Sequence, residues 1–230
     1  VGNPVEFSGD YIFRVTDSAG DWSEAVDDLQ VAYDPAVNPP PHGWINGPDG
    51  CTVVGRWLYV VAKDNNLLVR YDLSAVRDDP HAPPPSAEPV LGARADVAVD
   101  GELVPMDLWG HSAVAEQDGW LYVGFRTTSQ IVRFPLDDDG LLLEPLQGEL
   151  IARFDPYDPE TGTSADLIDI KFNGKGELFA SVARTGSVWN LGVPDPAHVF
   201  DGRSGTDREP YANLCELTSN PKARTGNIAF

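Results

Sequence analysis

The stretch HSAVAEQDGWLYVGFRTTSQIVRF, from His111 to Phe134, alternates short apolar runs with polar breaks. The pair Asp118-Gly119 stands between two runs rich in β-branched and aromatic residues, which is the strongest short-range signal of a β-hairpin. A second polar break, residues 126–129, precedes the apolar run from Ile131 to Phe134. The stretch therefore predicts three consecutive antiparallel strands, the second of them over Trp120 to Phe125.

The same three-strand pattern occurs twice more along the chain. CTVVGRWLYVVAKDNNLLVRYDLS, residues 51–74, has a shorter first turn, and LIDIKFNGKGELFASVARTGSVWNLG, residues 167–192, has Asn-Gly-Lys-Gly as that turn. Superposing Trp57, Trp120 and Glu177 gives repeat spacings of 63 and 57 residues. A repeat of this size that contains only strands and turns is typical of a β-propeller, in which each repeat forms one four-stranded blade.

We therefore predict an all-β fold, a single β-propeller domain of four-stranded antiparallel blades over residues 1–230. The predicted complete blades are 45–92, 107–155 and 166–200, and the predicted partial blades are 1–37 and 226–230. Between the repeats we expect an outer strand at 28–33, an outer strand followed by a long loop at 92–112, and an irregular insertion at 192–226. Three and a half blades cannot close a ring, because each blade needs a neighbour on both sides. We expect the 230 residues to be part of a larger propeller that blades outside this chain complete.

The charge balance limits the classes of partner. The chain has 36 acidic and 16 basic residues and a formal net charge of −20. Such a charge repels nucleic acid and anionic membranes and favours a cationic partner. The sequence contains no apolar run long enough for a membrane span. These observations predict a protein partner or further blades, and neither nucleic acid nor a membrane span.

Cys51 and Cys215 are the two cysteines of the chain. A cysteine pair in a chain rich in proline and turns and poor in lysine suggests one disulfide bond, although two buried thiols remain the alternative. A disulfide predicts an oxidising compartment, so we expect an exported protein, extracellular or periplasmic.

Three polar residues are candidates for a site in the axial channel, because the inner strand of each blade begins near that channel. Counting back from the aligned turns places His111, Asp169 and Asn227 at the heads of inner strands. Asp169 and Asn227 could bind a divalent cation such as calcium, and His111 could act as a general base. The alternative is that these polar groups hydrogen-bond to one another and to water in the channel. Trp44 and Trp109 fall in loops and are candidates for contact with a ligand or a partner.

Several strings resemble the superfamily of propellers with NHL-, YncE- and SMP-30-like repeats. They are FNGKGELFAS (172–181), AEQDGWLYVG (115–124), NLLVRYDLS (66–74) and QIVRFPLDDDG (130–140). A narrower resemblance, to soluble quinoprotein sugar dehydrogenases, rests on Gly110-His111 followed by Asp118-Gly119-Trp120-Leu121-Tyr122. The resemblances imply a propeller fold far more strongly than an activity, because the strings encode blade geometry.

Two functional hypotheses follow. The first is an exported binding or scaffold propeller that engages a protein partner or a small ligand through its loops. The alternative is a propeller enzyme, either a metal-dependent lactonase-like hydrolase or a quinoprotein dehydrogenase, that works through His111, Asp169 and Asn227 at the channel mouth.

Overall fold

The computed structural model describes residues 13–15, 26–28, 48–74, 87–158, 160–161, 164–206, 208–213 and 228. Within these ranges the regular structure consists of seventeen β-strands and one short 3-10 turn, Lys63–Asn65. No helix in this part of the chain is long and apolar enough to cross a membrane. The first two strands, β1 (Phe13–Val15) and β2 (Val26–Asp28), pair with each other as an antiparallel ribbon.

The first four-stranded sheet follows the chain in order. Its strands are β3 (Pro48–Val54), β4 (Trp57–Ala62), β5 (Leu67–Asp72) and β6 (Glu88–Leu91). Gly55, with φ at +57°, allows the tight turn between β3 and β4. This sheet is one antiparallel blade.

The second sheet contains the stretch that decides the fold. A hairpin of β7 (Arg94–Val99) and β8 (Glu102–Asp107) precedes β9 (His111–Gln117), β10 (Trp120–Phe125), β11 (Gln130–Pro135) and β12 (Gln147–Arg153). Asp118 and Gly119 have φ of +53° and +77°, the left-handed conformation that a two-residue hairpin turn requires. The three strands predicted between His111 and Phe134 are therefore confirmed.

The third sheet has the order β13 (Leu167–Phe172), β14 (Leu178–Val182), β15 (Ser187–Gly192) and β17 (Ala212–Asn213). Between its last two strands, the short strand β16 (Phe200–Asp201) leaves this sheet and pairs in parallel with β12 of the second sheet. The third sheet is therefore joined to its neighbour at the outer edge.

The sheets stack face to face, as the burial of their middle strands shows. All six residues of β4 and all five of β14 are buried, so both faces of these strands are covered. One apolar cluster joins β4 to β10 and contains Tyr59, Val61, Leu121 and Val123. A second cluster joins the second sheet to β14. The first and third sheets are four-stranded and antiparallel, and the second adds β7, β8 and β16 to its four antiparallel strands β9–β12. Sheets of this kind that stack face to face in chain order are the blades of a β-propeller, and the all-β fold is confirmed.

Polar contacts also bind the first blade to the second. Trp57 donates its indole N–H to the carbonyl of Asp139 at 3.1 Å, and the Tyr59 hydroxyl donates to the carbonyl of Gly140 at 2.7 Å. The side chain of Asp137 accepts hydrogen bonds from two backbone amides of the same turn, at Asp139 and Leu141. The turn from Asp137 to Leu141 therefore packs against the first blade, and these backbone groups have hydrogen-bond partners.

Two local expectations differ from the structure. Residues 92–112, expected to form an outer strand and a long loop, contain the β7–β8 hairpin, and β7 pairs in parallel with β12. The segment 192–226, expected to be irregular, contributes β16 and β17. Of the strand expected at 28–33, only residue 28 lies within the described residues, at the end of β2. Of the partial blade predicted at 226–230, only residue 228 lies within the described residues, so that blade stays a prediction.

Candidate functional site

The inner strands β3, β9 and β13 share a bulge near their first residue. His111 pairs with Phe125, and the register shifts by one residue before the next pair. The same shift lies between Leu167 and Asp169 in β13 and between Pro48 and Cys51 in β3. The bulge aligns His111 with Pro48 and Leu167, whereas Asp169 aligns with Ala113. His111 and Asp169 therefore do not occupy equivalent positions in their blades.

His111 is completely buried. Its ring packs edge-to-face on Phe125 with the ring centroids 4.8 Å apart. Among the described residues, neither ring nitrogen has a hydrogen-bond partner. Burial lowers the pKa of His111 to about 4, because the charged imidazolium is disfavoured away from water. His111 is therefore neutral at neutral pH.

Ser112, the bulged residue of β9, connects two blades. Its hydroxyl lies 2.8 Å from the carbonyl of Leu167 in β13 and 3.3 Å from the carbonyl of Gly124 in β10. Both contacts are buried, so the hydroxyl satisfies polar groups that would otherwise lack a partner at the junction. The bulge turns Ser112 toward the next blade, which explains why a polar residue is accommodated here.

Asp169 is 5% exposed and is held by backbone groups. One carboxylate oxygen accepts from the amide of Ile170 at 2.9 Å, and the other accepts from the amide of Ile228 at 2.9 Å. The ammonium of Lys171 lies 3.6 Å from the same carboxylate. Asp169 therefore anchors the chain at Ile228 to the third blade. Its predicted partner in a metal site, Asn227, lies outside the described residues.

The groups predicted to bind calcium form no cluster in the described structure. No set of three or more histidine, cysteine, aspartate or glutamate side chains within the described ranges is close enough to hold a metal ion. Cys51 is exposed on β3 and forms no disulfide with any described residue, and its predicted disulfide partner, Cys215, lies outside those ranges. Both the metal site and the disulfide therefore stay predictions.

In each blade, the turn between the second and third strands lies on the same side as the loop that leads into the inner strand. We call the surface formed by these turns and loops the loop face. Arg126 forms a two-pronged ion pair with Asp166, one of whose contacts is 3.0 Å. Hydrogen bonding to this carboxylate raises the pKa of the Arg126 guanidinium. The side chain of Asn66 accepts from the amide of Gly110 at 2.7 Å. Each contact ties the turn of one blade to the loop of the next.

A partly buried carboxyl group, Asp49, lies near this ion pair. Burial raises the pKa of Asp49, while the positive charges of Lys63 and Arg126 oppose that rise. The charges of Asp169 and Asp64 add to it. The loop face therefore contains more acidic than basic groups around the heads of the inner strands.

Two half-exposed aromatic side chains flank the second blade's turn on the loop face. Trp109 is 49% exposed and Tyr157 is 50% exposed. The amide of Thr127 donates to the Trp109 carbonyl at 3.1 Å, and the amide of Tyr157 donates to the Thr127 carbonyl at 2.9 Å. One turn thus fixes the backbone beneath both aromatic rings. Trp44, the other tryptophan expected to contact a ligand, lies outside the described residues.

Sequence reasoning missed a cleft of about 590 Å³ beside this face. The cleft lies between the second and third blades, and it is lined by Tyr157, Arg184, Trp189, Arg203 and Arg208 among other residues. No local motif could have indicated it, because its lining residues come from three separate loops and from strands β14 and β15. Its volume is within the range of small-molecule sites.

In fold, the chain belongs to the β-propeller class of proteins. No family model matches it, and no curated protein matches its sequence. It is similar to the computationally designed Ika4 protein, at 10% identity and TM-score 0.39, over 80% of each chain. It is also similar to a putative 6-phosphogluconolactonase from Bacteroides uniformis, at 14% identity and TM-score 0.37, over 83% of this chain and 65% of that chain.

Glutaminyl cyclase from Myxococcus xanthus is a further match, at 13% identity and TM-score 0.34, over 67% of this chain and 51% of that chain. The chain thus spans about half to two thirds of the length of these two natural structures. These distant likenesses concern the fold alone.

Proposed function

We propose that this protein is an exported binding module whose loop face contacts a basic protein partner. The observation that carries the proposal is the pair of half-exposed rings, Trp109 and Tyr157, fixed on either side of Thr127. Tryptophan, tyrosine and arginine dominate the binding energy of protein interfaces, because rigid rings bury much area at low entropic cost. Arg126, which directly precedes Thr127 along the chain, is held by its ion pair with Asp166.

The negative net charge of the protein favours a basic partner. The net charge of −20 attracts a cationic surface and speeds its encounter with the protein. The two sequence-predicted polar residues, His111 and Asp169, are both buried, so the proposal depends on exposed groups. The small number of lysines and the two cysteines support export.

A displayed library of random peptides tests the proposal. Selection on the purified protein at about 0.15 M salt should enrich basic peptides. Their affinity should fall at least about tenfold for Trp109→Ser and for Tyr157→Ser, because each variant removes an aromatic anchor without changing the net charge. Tyr211→Ser is the matched control, because Tyr211 is 70% exposed and packs on Phe179 of the third blade.

The control variant should bind like the wild type. The proposal is wrong if the enriched peptides are neutral or acidic, or if all three variants bind them equally well. Circular dichroism and thermal unfolding of each variant show whether its fold is intact before affinities are compared.

A further inference from the structure

The cleft between the second and third blades is built from three loops. The first wall is formed by described residues of the connection that follows β12, among them Asp155, Tyr157 and Ala165; the second is the turn at Arg184 and Thr185, and the third is formed by residues 202–206 and 208. The first and third walls are tied together because Asp155 accepts hydrogen bonds from the amide of Ser204, at 3.1 Å, and from its hydroxyl. The walls are therefore held in place without a ligand.

Aromatic rings form one side of the cleft. Phe154 and Trp189 line it, and both pack against Phe200, with centroids of the three rings 5.8 to 6.0 Å apart. Gly202 passes so close to the Phe154 ring that an added Cβ would lie 2.6 Å from it. Trp189 donates its indole N–H to Ser187 at 2.9 Å and is only partly buried, so its ring orientation is fixed while one part stays accessible.

Three arginines line the cleft together with these rings, although the protein as a whole is strongly acidic. Arg203 is paired with Asp201. Arg208 lies over the ring of Phe200, with its guanidinium carbon 4.6 Å from the centroid. Arg184 is exposed and forms no ion pair with any residue that the structure describes. Among the described residues, Arg184 and Arg208 are therefore the arginines of the cleft lining whose guanidinium groups have no ion-pair partner.

The acidic groups of the cleft are already satisfied by other partners. Asp155 binds Ser204, and Asp158 accepts from the amide of Glu160 at 2.9 Å and the hydroxyl of Thr161 at 2.7 Å. The Thr161 hydrogen bond is the main cause of a lowered pKa at Asp158. These carboxylates are thus committed to holding the loops, and the arginines remain available to a ligand.

We propose that this cleft binds a small ligand that carries an oxyanion, a carboxylate or a phosphate, on an aromatic ring. A guanidinium group matches the geometry of both oxyanions and forms strong charge-assisted hydrogen bonds with them. A neighbouring aromatic wall favours a ring in edge-to-face or offset packing. The cleft adjoins the partner surface of the proposed function and shares Tyr157 with it, but ligand binding in the cleft depends on Arg184 and Arg208 rather than on Trp109.

Titration with benzoate and with phenyl phosphate, followed by the indole N–H resonance of Trp189, tests this inference. Trp189→Phe identifies the resonance, and isothermal titration calorimetry gives the affinity. Both probes should bind with dissociation constants below about 1 mM at low salt and shift the Trp189 resonance. Comparison of the two distinguishes a carboxylate from a phosphate preference. Benzylamine, which has the same ring and a positive charge, should not bind.

Arg184→Gln and Arg208→Gln should each weaken binding about tenfold, because each removes one charged donor. Arg94→Gln is the matched control, since Arg94 is exposed on β7 and lies 3.6 Å from Asp107, away from the cleft residues. The inference is wrong if benzylamine binds as tightly as benzoate, if no probe saturates below about 10 mM, or if all three arginine variants bind alike. Tyr157 belongs to both surfaces, so no variant at this position is used here.

Discussion

The buried imidazole of His111 predicts a measurable pH dependence of stability. In the folded protein its pKa is about 4, whereas in the unfolded chain it returns to the ordinary value of 6.5. The unfolded state therefore binds a proton at a higher pH than the folded state does. Stability is unaffected by this group above about pH 6.5, falls as the pH decreases from there toward 4, and falls no further below 4.

The size of the effect follows from the difference between the two pKa values. A difference of one pKa unit corresponds to about 1.4 kcal/mol, so His111 removes about 3 kcal/mol of unfolding free energy across this range. That amount is a large fraction of the stability of an ordinary domain. The loss is steepest, about 1.4 kcal/mol per pH unit, between about pH 4.5 and 6.

Urea unfolding of the wild type and of His111→Leu, followed by tryptophan fluorescence from pH 7.5 to 4, measures the effect. Leucine is similar in size and cannot be protonated, so the variant lacks this contribution while the carboxylates titrate equally in both proteins. The two stabilities should be within about 1 kcal/mol at neutral pH, because the imidazole nitrogens have no hydrogen-bond partner among the described residues. The difference should then increase by about 3 kcal/mol in favour of the variant. Parallel pH profiles for the two proteins would refute the reasoning.

Two further predictions concern the backbone and polar contacts between blades, and urea unfolding at neutral pH measures both. Gly110→Ala should cost about 2–4 kcal/mol, because φ is +74° and the new Cβ would lie 2.5 Å from the Thr127 hydroxyl. Gly119→Ala, with φ of +77° and open space around it, should cost only about 1 kcal/mol; equal losses would show that the close contact is unimportant. Ser112→Ala should cost about 1–2 kcal/mol, because the buried carbonyl of Leu167 loses a donor; a stability unchanged from the wild type would contradict the role of Ser112 in joining the blades.

The blades were predictable because each is specified by local sequence. Turn residues such as Asp118-Gly119 lie between apolar runs, and the positive φ angles at both positions show why these residue types occur there. Pairing between distant segments leaves no such local signal. The parallel pairing of β7 with β12 joins Asp96 to Gln147, and no turn between them specifies that register.

The candidate site was harder to predict than the blades, for two physical reasons. The first turn of each repeat varies in length, and the bulge inserts a residue near the head of each inner strand, so counting back from the turn misaligns positions. His111 pairs with Phe125, whereas Asp169 pairs with Ser181, which is the partner position one step further along the blade. The cleft depends on three loops that only the folded blades bring together.

The hairpin at the outer edge of the second blade has a consequence for synthesis of the protein on the ribosome. Residues 94–107 emerge before β12 has been translated, so β7 must wait for its partner strand while the nascent chain grows. The far side of the hairpin stays unpaired among the described strands even after β12 arrives. Pro105 in the middle of β8 cannot donate to a neighbouring strand, and Glu102 and Asp107 add negative charge at its ends. These residues make the outer edge of β8, rather than the edge of β7 that later pairs with β12, a poor template for pairing with another nascent chain.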